Sequence, residues 1–133
     1  MTKNNLPTVY QAVIAQSRYA RFMPDQQRRE TWEETVQRLI TYLEEKTPVL
    51  KKDIASIKEA VLKQDIMPSM RLMMTAGEAC ERDNISAYNC SYLAVNNKRA
   101  FSEALYILMN GTGVGFSCER QEITHLPEIP EAL

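Results

Sequence analysis

Cys90 sits between Asn89 and Ser91, and downstream of it stand Gly111, Gly113 and Gly115; this is where the sequence concentrates residues able to do chemistry. A thiol in such a place is open to two readings, a redox or nucleophilic sulfur or a small buried hydrophobe, and spacing alone does not choose between them. The wider stretch from Pro68 to Arg120 also holds the turn-forming Pro68-Ser69, an exposed-looking Thr75-Ala76-Gly77 and a polar run from Glu78 to Asn84. Cys80, in that polar run, reads as an incidental exposed thiol, and Cys118, alternating with Phe116, reads as core. Three widely spaced cysteines suit a reducing compartment and outline no disulfide framework. Without a Cys-x2-Cys pair, and with His125 as the only histidine, no metal site is expected. The glycines fail the dinucleotide fingerprint, because they are spaced Gly-x-Gly-x-Gly and follow a predicted helix instead of opening one. Small residues at a strand entrance do let a ligand or another loop approach the backbone closely.

These residues are positioned by a predicted strand, helix and strand. Tyr88 to Val95 alternates with apolar residues on both faces and reads as a buried strand. Asn96-Asn97 turns the chain into a helix from Arg99 to Asn110, with Phe101, Ala104, Leu105, Leu108 and Met109 inward and Gly111 as its left-handed cap. Val114 to Glu119 forms the second strand. A helix of that length between two strands predicts parallel pairing with a right-handed crossover.

Upstream the texture is helical. Pro7 to Ser17 reads as a short docking helix presenting Tyr10, Val13, Ile14 and Ser17, followed by an irregular segment held by Tyr19 and Phe22. From Glu30 to Lys46, Trp32, Val36, Leu39, Ile40 and Leu43 recur at helical spacing, with Glu33, Glu34, Arg38 and Glu44 facing away. Thr47-Pro48 ends that helix, and Leu50, Ile54, Ile57 and Val61 repeat the stripe up to Gln64, which predicts a helical pair. Arg18, Arg21, Arg28 and Arg29 read as a solvated surface cluster. The tail after Arg120, with Pro127 and Pro130, reads as an extended connector. A division follows, with residues 1–66 a helical region and 67–133 an α/β region.

With 44% hydrophobic and 25% charged residues the chain is globular in composition, which excludes disordered and fibrous classes. The 16 basic and 17 acidic residues leave a formal charge of -1, so no global field argues for nucleic acid or an anionic membrane. The N-terminus has no signal-peptide pattern and no apolar run could span a bilayer, so a cytoplasmic protein is expected.

The segments SRYARFMPDQQRRETWEETVQRLI, MPSMRLMMTAGEACERDNISAYNCSYLAV and EALYILMNGTGVGFSCER, in this order, resemble the N-terminal part of an adenosylcobalamin-dependent (class II) ribonucleotide reductase, nearest the ribonucleoside-triphosphate reductase type. The resemblance implies an α/β fold in which a helical region precedes the first strand-helix-strand unit of a ten-stranded barrel, here truncated. It implies that Cys90 is the first cysteine of the redox pair that reduces the ribose 2′ position and becomes a disulfide. Asn89 then makes a ribose contact, Ser69 and Met70 border the substrate with their backbone, and Gly113 lets the nucleotide lie against the strand entrance. Cys80 and Cys118 match no catalytic cysteine of the family.

Members of the family are several times longer. The partner of Cys90, the thiyl-radical cysteine, the phosphate loops and the cobalamin contacts all fall beyond the matching region. The implied activity is reduction of ribonucleotides with thioredoxin or a similar dithiol, by this chain together with the missing C-terminal portion. The alternatives are a helical interaction module and a non-functional remnant.

Overall fold

The helix that carries the core starts at Trp32, two residues after the Glu30 expected, because Thr31 caps it. Thr31 and Glu34 stand in the Ser/Thr-x-x-Glu relation that satisfies two orphan amides reciprocally. Thr31 Oγ1 accepts from Glu34 N at 3.2 Å, and Glu34 Oε2 accepts from Thr31 N at 2.7 Å. The computed structural model describes residues 6–129, with Leu50 described by its backbone alone. They fall into two compact units, Met1–Arg82 and Asp83–Leu133.

In the first unit α1 (Val9–Ile14) opens with a second capping box, between Thr8 and Gln11, and runs on into a π-helical stretch, Ala15–Tyr19. Strands β1 (Phe22–Met23) and β2 (Arg28–Arg29) pair antiparallel around a turn closed by Gln27 at φ 51°. Then come α2 (Trp32–Lys46), a 3-10 segment Pro48–Lys52, α3 (Ile54–Lys63), α4 (Met70–Thr75) and α5 (Glu78–Arg82). Trp32, Val36, Leu39 and Ile40 of α2 close on Ile54 and Val61 of α3 and on Met73 and Ala76, and all of these are buried. The helical pair expected from the stripe is present; Leu50, the first residue of the second stripe, has its side chain outside the described set.

Charged residues depart from the expected pattern. Arg38, read as solvent-facing, is a mostly buried partner of Glu30, with Nε 2.9 Å from Oε1. Arg21 reaches the carbonyls of Thr75 and Ala76, so it is no solvated surface group. A long guanidinium can lay its stem on apolar surface and still satisfy its head on backbone oxygen, which a stripe pattern does not reveal. Ala76, in the exposed-looking Thr-Ala-Gly, is fully buried, and the polar run after it is helical in α5. Tyr10, Val13 and Ser17 are exposed, as is Phe22, whereas Tyr19 does pack on the core.

Acid should loosen this unit. Arg28 binds both oxygens of Glu34, at 2.6 and 2.7 Å, and with the Thr31 amide it holds that carboxyl down to about 2. Burial alone would raise Glu30, but Arg38 and the Arg21 amide outweigh it and the net shift is downward. Both folded values lie below the unfolded ones, so the stabilisation is present above the ordinary carboxylate range and is lost as pH falls through it. Fluorescence of Trp32, the single tryptophan, should report falling stability from about pH 4.5 towards pH 2, and a flat response would contradict both pairings.

In the second unit a 3-10 segment, Asn84–Ala87, leads to β3 (Cys90–Ala94), α6 (Arg99–Met109), β4 (Gly113–Ser117) and α7 (Arg120–Ile123). Asp83 fixes its start: Oδ1 accepts from Ile85 N at 2.9 Å, and Oδ2 accepts the Tyr106 hydroxyl. The Tyr106 bond, helped by the Ile85 amide, holds the Asp83 carboxyl below the usual range, and Asp83 in turn raises Tyr106. Strands β3 and β4 pair parallel, Cys90 opposite Gly113 through Ala94 opposite Ser117, with α6 as the crossover. That agrees with the pairing expected from the helix length.

Burial in this unit does not agree. The strand read as buried exposes Cys90 and Tyr92, and Cys118 is exposed where core was expected; in the first unit the reverse holds for Cys80, read as exposed and buried at 6% exposure. Phe101, Leu105, Leu108 and Met109 of α6, read as inward, are all more than half exposed. The stripe is real, but a sheet of two strands is too narrow to cover it. The segment after Arg120 is not extended at first, since α7 precedes Pro127; Pro130 lies outside the described residues.

Candidate functional site

Cys90 is the first residue of β3, and its ladder neighbour is Gly113, the first residue of β4. Gly113 N donates to Asn89 O at 3.0 Å, so the peptide before the cysteine is tied to the glycine entrance. Ser91 Oγ donates to Gly113 O at 3.3 Å, fixing the same junction from the following residue. Paired residues of parallel strands share a face, so Cys90, Tyr92, Gly113 and Gly115 lie on one side of the sheet. That side is open: all four are exposed.

The four glycines of the chain divide by what the backbone asks of them. Gly111 has φ 82° and Gly77 has φ 98°, a region that side-chain-bearing residues avoid. Gly113 and Gly115 do not. A Cβ on Gly113 would lie 3.5 Å from Asn89 O and 3.9 Å from Cys90 Sγ, and one on Gly115 would lie 3.7 Å from Ser91 O, all ordinary contacts. The unit therefore tolerates a methyl group there, while glycine inside a strand costs about 0.5–1 kcal/mol relative to alanine. What the bare backbone gains is room beside the Cys90 sulfur. Gly113→Ala is accordingly expected to hold or raise the hydrogen-exchange protection of the β3–β4 ladder, and Gly111→Ala to lower it by about 1 kcal/mol. Equal losses in the two variants would show that Gly113 is needed by the fold.

Thr112 was not singled out in the sequence and is central to the junction. It is 1% exposed, and its hydroxyl lies 2.8 Å from Ile85 O and 2.9 Å from Tyr88 O, placed to donate to either. It thereby ties the segment before Cys90 to the residue before Gly113. A polar residue between glycines reads as an exposed turn, and only the fold shows that it is enclosed.

The structure brings Asn89, Cys90 and Gly113 together. Ser69 and Met70 belong to the first unit, where Ser69 Oγ accepts from Leu72 N at 3.5 Å as the cap of α4 and Met70 is exposed. No disulfide joins the cysteines. Among the described residues no group of three or more His, Cys, Asp or Glu could hold a metal ion, and no helix is long and apolar enough to cross a membrane.

No protein-family model and no curated protein matches the sequence significantly. A solved structure does match, described as the crystal structure of a B-12 dependent (class II) ribonucleotide reductase, with a TM-score of 0.72 and 26% identity over 91% of this chain. The chain spans 22% of the length of that reductase. The likeness first carried by three sequence segments thus extends to the fold, and the chain is similar in structure to part of a class II ribonucleotide reductase.

Proposed function

We propose that this chain is the N-terminal part of a radical ribonucleotide reductase of the adenosylcobalamin-dependent, triphosphate-reducing type, and that Cys90 is one of its two reducing thiols. The observation that carries the reading is an exposed thiol set against bare glycine backbone at the mouth of a parallel strand pair, in a chain built like part of such an enzyme. In the reaction a C–OH carbon at the ribose 2′ position and two thiols become a C–H carbon, water and a disulfide. Two electrons pass from sulfur to carbon, and an external dithiol such as thioredoxin returns them. Gly113 gives the nucleotide close approach, Asn89 contacts the ribose, and the backbone at Ser69 and Met70 borders the substrate. The products would serve DNA synthesis.

The rest of the barrel is a partner in this reading. In the second unit β3 and β4 pair only with each other among the described residues, and α6 exposes Phe101, Leu105, Leu108 and Met109. Free strand edges beside uncovered apolar surface favour addition of further strands and helices, which supports completion to a ten-stranded barrel by the remaining reductase polypeptide. Two clefts among the described residues, of about 320 Å³ in the first unit and about 410 Å³ in the second, are not lined by Asn89, Cys90 or Gly113, and nothing in them is assigned to cobalamin. The contacts of cobalamin belong to the complementing polypeptide.

The experiment is reconstitution. The chain, the C-terminal portion of a class II reductase, adenosylcobalamin, a dithiol and a ribonucleoside triphosphate should together form deoxyribonucleotide, and omitting the chain should abolish it. No product from a mixture in which the two polypeptides associate would contradict the proposal.

A further inference from the structure

Two guanidinium groups converge on one end of α4. Arg38, from α2, donates to Met73 O at 3.1 Å, Ala76 O at 3.0 Å and Tyr19 O at 3.1 Å. Arg21 donates to Thr75 O at 3.2 Å and Ala76 O at 2.8 Å. The carbonyls of Met73, Thr75 and Ala76 close α4, where peptide dipoles leave partial negative charge, while Tyr19 O belongs to the Ala15–Tyr19 stretch. One carboxylate joins the Arg38 guanidinium to the backbone of Arg21. Glu30 accepts from Arg38 Nε at 2.9 Å, Arg38 Nη2 at 3.0 Å, Arg21 N at 3.1 Å and the Thr35 hydroxyl at 3.1 Å. The pair is enclosed, with Arg38 and Glu30 side chains 14% and 10% exposed.

The turn after α4 is cut to fit this arrangement. Gly77 has φ 98°, and a Cβ there would sit 3.2 Å from Arg21 Nη1. Holding Arg21 beside Arg38 is not free, because burial and the neighbouring like charge both disfavour the Arg21 cation. A surface helix end is ordinarily satisfied by water or a glycine turn. Two part-buried arginines fix one position of the helix more narrowly.

At the other end of α4, Leu72 packs against the core only in part. Ser69 and Met70 are exposed, and the deeply buried residues of this segment, Met73 and Ala76, lie towards the clamped end. We propose that Arg38, Arg21 and Glu30 are positioning residues for the Ser69–Met70 turn, holding α4 by its C-terminal end so that its exposed first turn is presented to a nucleotide in one place. This rests on the reading of Ser69 and Met70 as bordering the substrate. A six-residue helix is about 9 Å long, short enough to transmit a fixed position from one end to the other as a rigid body.

The test uses the full chain and two variants. Arg38→Lys keeps charge and loses the fork, and Arg21→Met removes the cation closest to Gly77. Hydrogen exchange at the amides of Leu72 to Ala76 should accelerate tenfold or more in each, with protection at Leu39 and Val61 unchanged. Unchanged α4 exchange, or equal acceleration at Leu39 and Val61, would overturn the proposal by showing no hold on α4 or only a general core role. In a reconstituted reductase Arg21→Met should raise the nucleotide KM several-fold at constant kcat, and an unaltered KM would likewise overturn it. If the wild-type mixture forms no deoxyribonucleotide, the reductase reading fails by itself, and the exchange comparison still decides whether the clamp holds α4.

Discussion

Cys90→Ser in the reconstituted reductase is expected to abolish multiple turnover with thioredoxin while leaving the fold intact. Serine is close to cysteine in volume, and position 90 is exposed, so neither a cavity nor a desolvation cost follows from the change. What is lost is the ability to form a disulfide, without which no external dithiol can return electrons. Cys118→Ser is the matched control, because that residue is also exposed, and it should leave turnover and stability unaltered. Cys80→Ser should spare turnover and lower stability, since Cys80 is buried beside Thr75 Oγ1 at 3.3 Å. Steady-state assays with thermal melts separate these outcomes. Identical behaviour of the three variants would remove the special role of Cys90.

Leu39→Ala should be the most damaging single truncation of the first unit. Leu39 is wholly buried in α2 among the residues that join α2, α3 and α4. Removing a Leu side chain from such a site costs about 3–5 kcal/mol, through lost transfer energy and the cavity left behind. A domain has about 5–15 kcal/mol in all, so the variant should be near unfolding at ambient temperature. Urea denaturation followed by Trp32 fluorescence measures it, because Trp32 belongs to the same cluster. Val49→Ala, at a residue 89% exposed, should stay within about 0.5 kcal/mol of the parent. A cost below about 1 kcal/mol for Leu39→Ala would mean that this core is not closed.

Periodicity made α2 legible because a helix that buries one face must repeat its apolar residues, and Trp32, Val36, Leu39 and Ile40 do so on the buried side. The parallel pairing of β3 and β4 was legible for a related reason, since the eleven-residue α6 between two strands leaves little other topology. Burial was less so. The stripe of α6 says which face is apolar and is silent on whether anything covers it, and the same ignorance exchanged Cys80 with Cys118. Arg38 was misread because its partners are set by the fold: Glu30 lies eight residues away, but Met73 and Ala76 lie 35 and 38 away. Spacing left Cys90 between hydrophobe and redox thiol. Its exposure removes the buried-hydrophobe reading, while the redox role comes from the resemblance to the reductase.

The most direct measurement of that role follows the sulfur itself. The reconstituted reductase, fully reduced and freed of external dithiol, is given one equivalent of ribonucleotide, quenched, alkylated and mapped by mass spectrometry. The account predicts that Cys90 escapes alkylation in proportion to deoxyribonucleotide formed and is recovered in a disulfide, while Cys118 is alkylated in full. Product formed with Cys90 still a free thiol would contradict it.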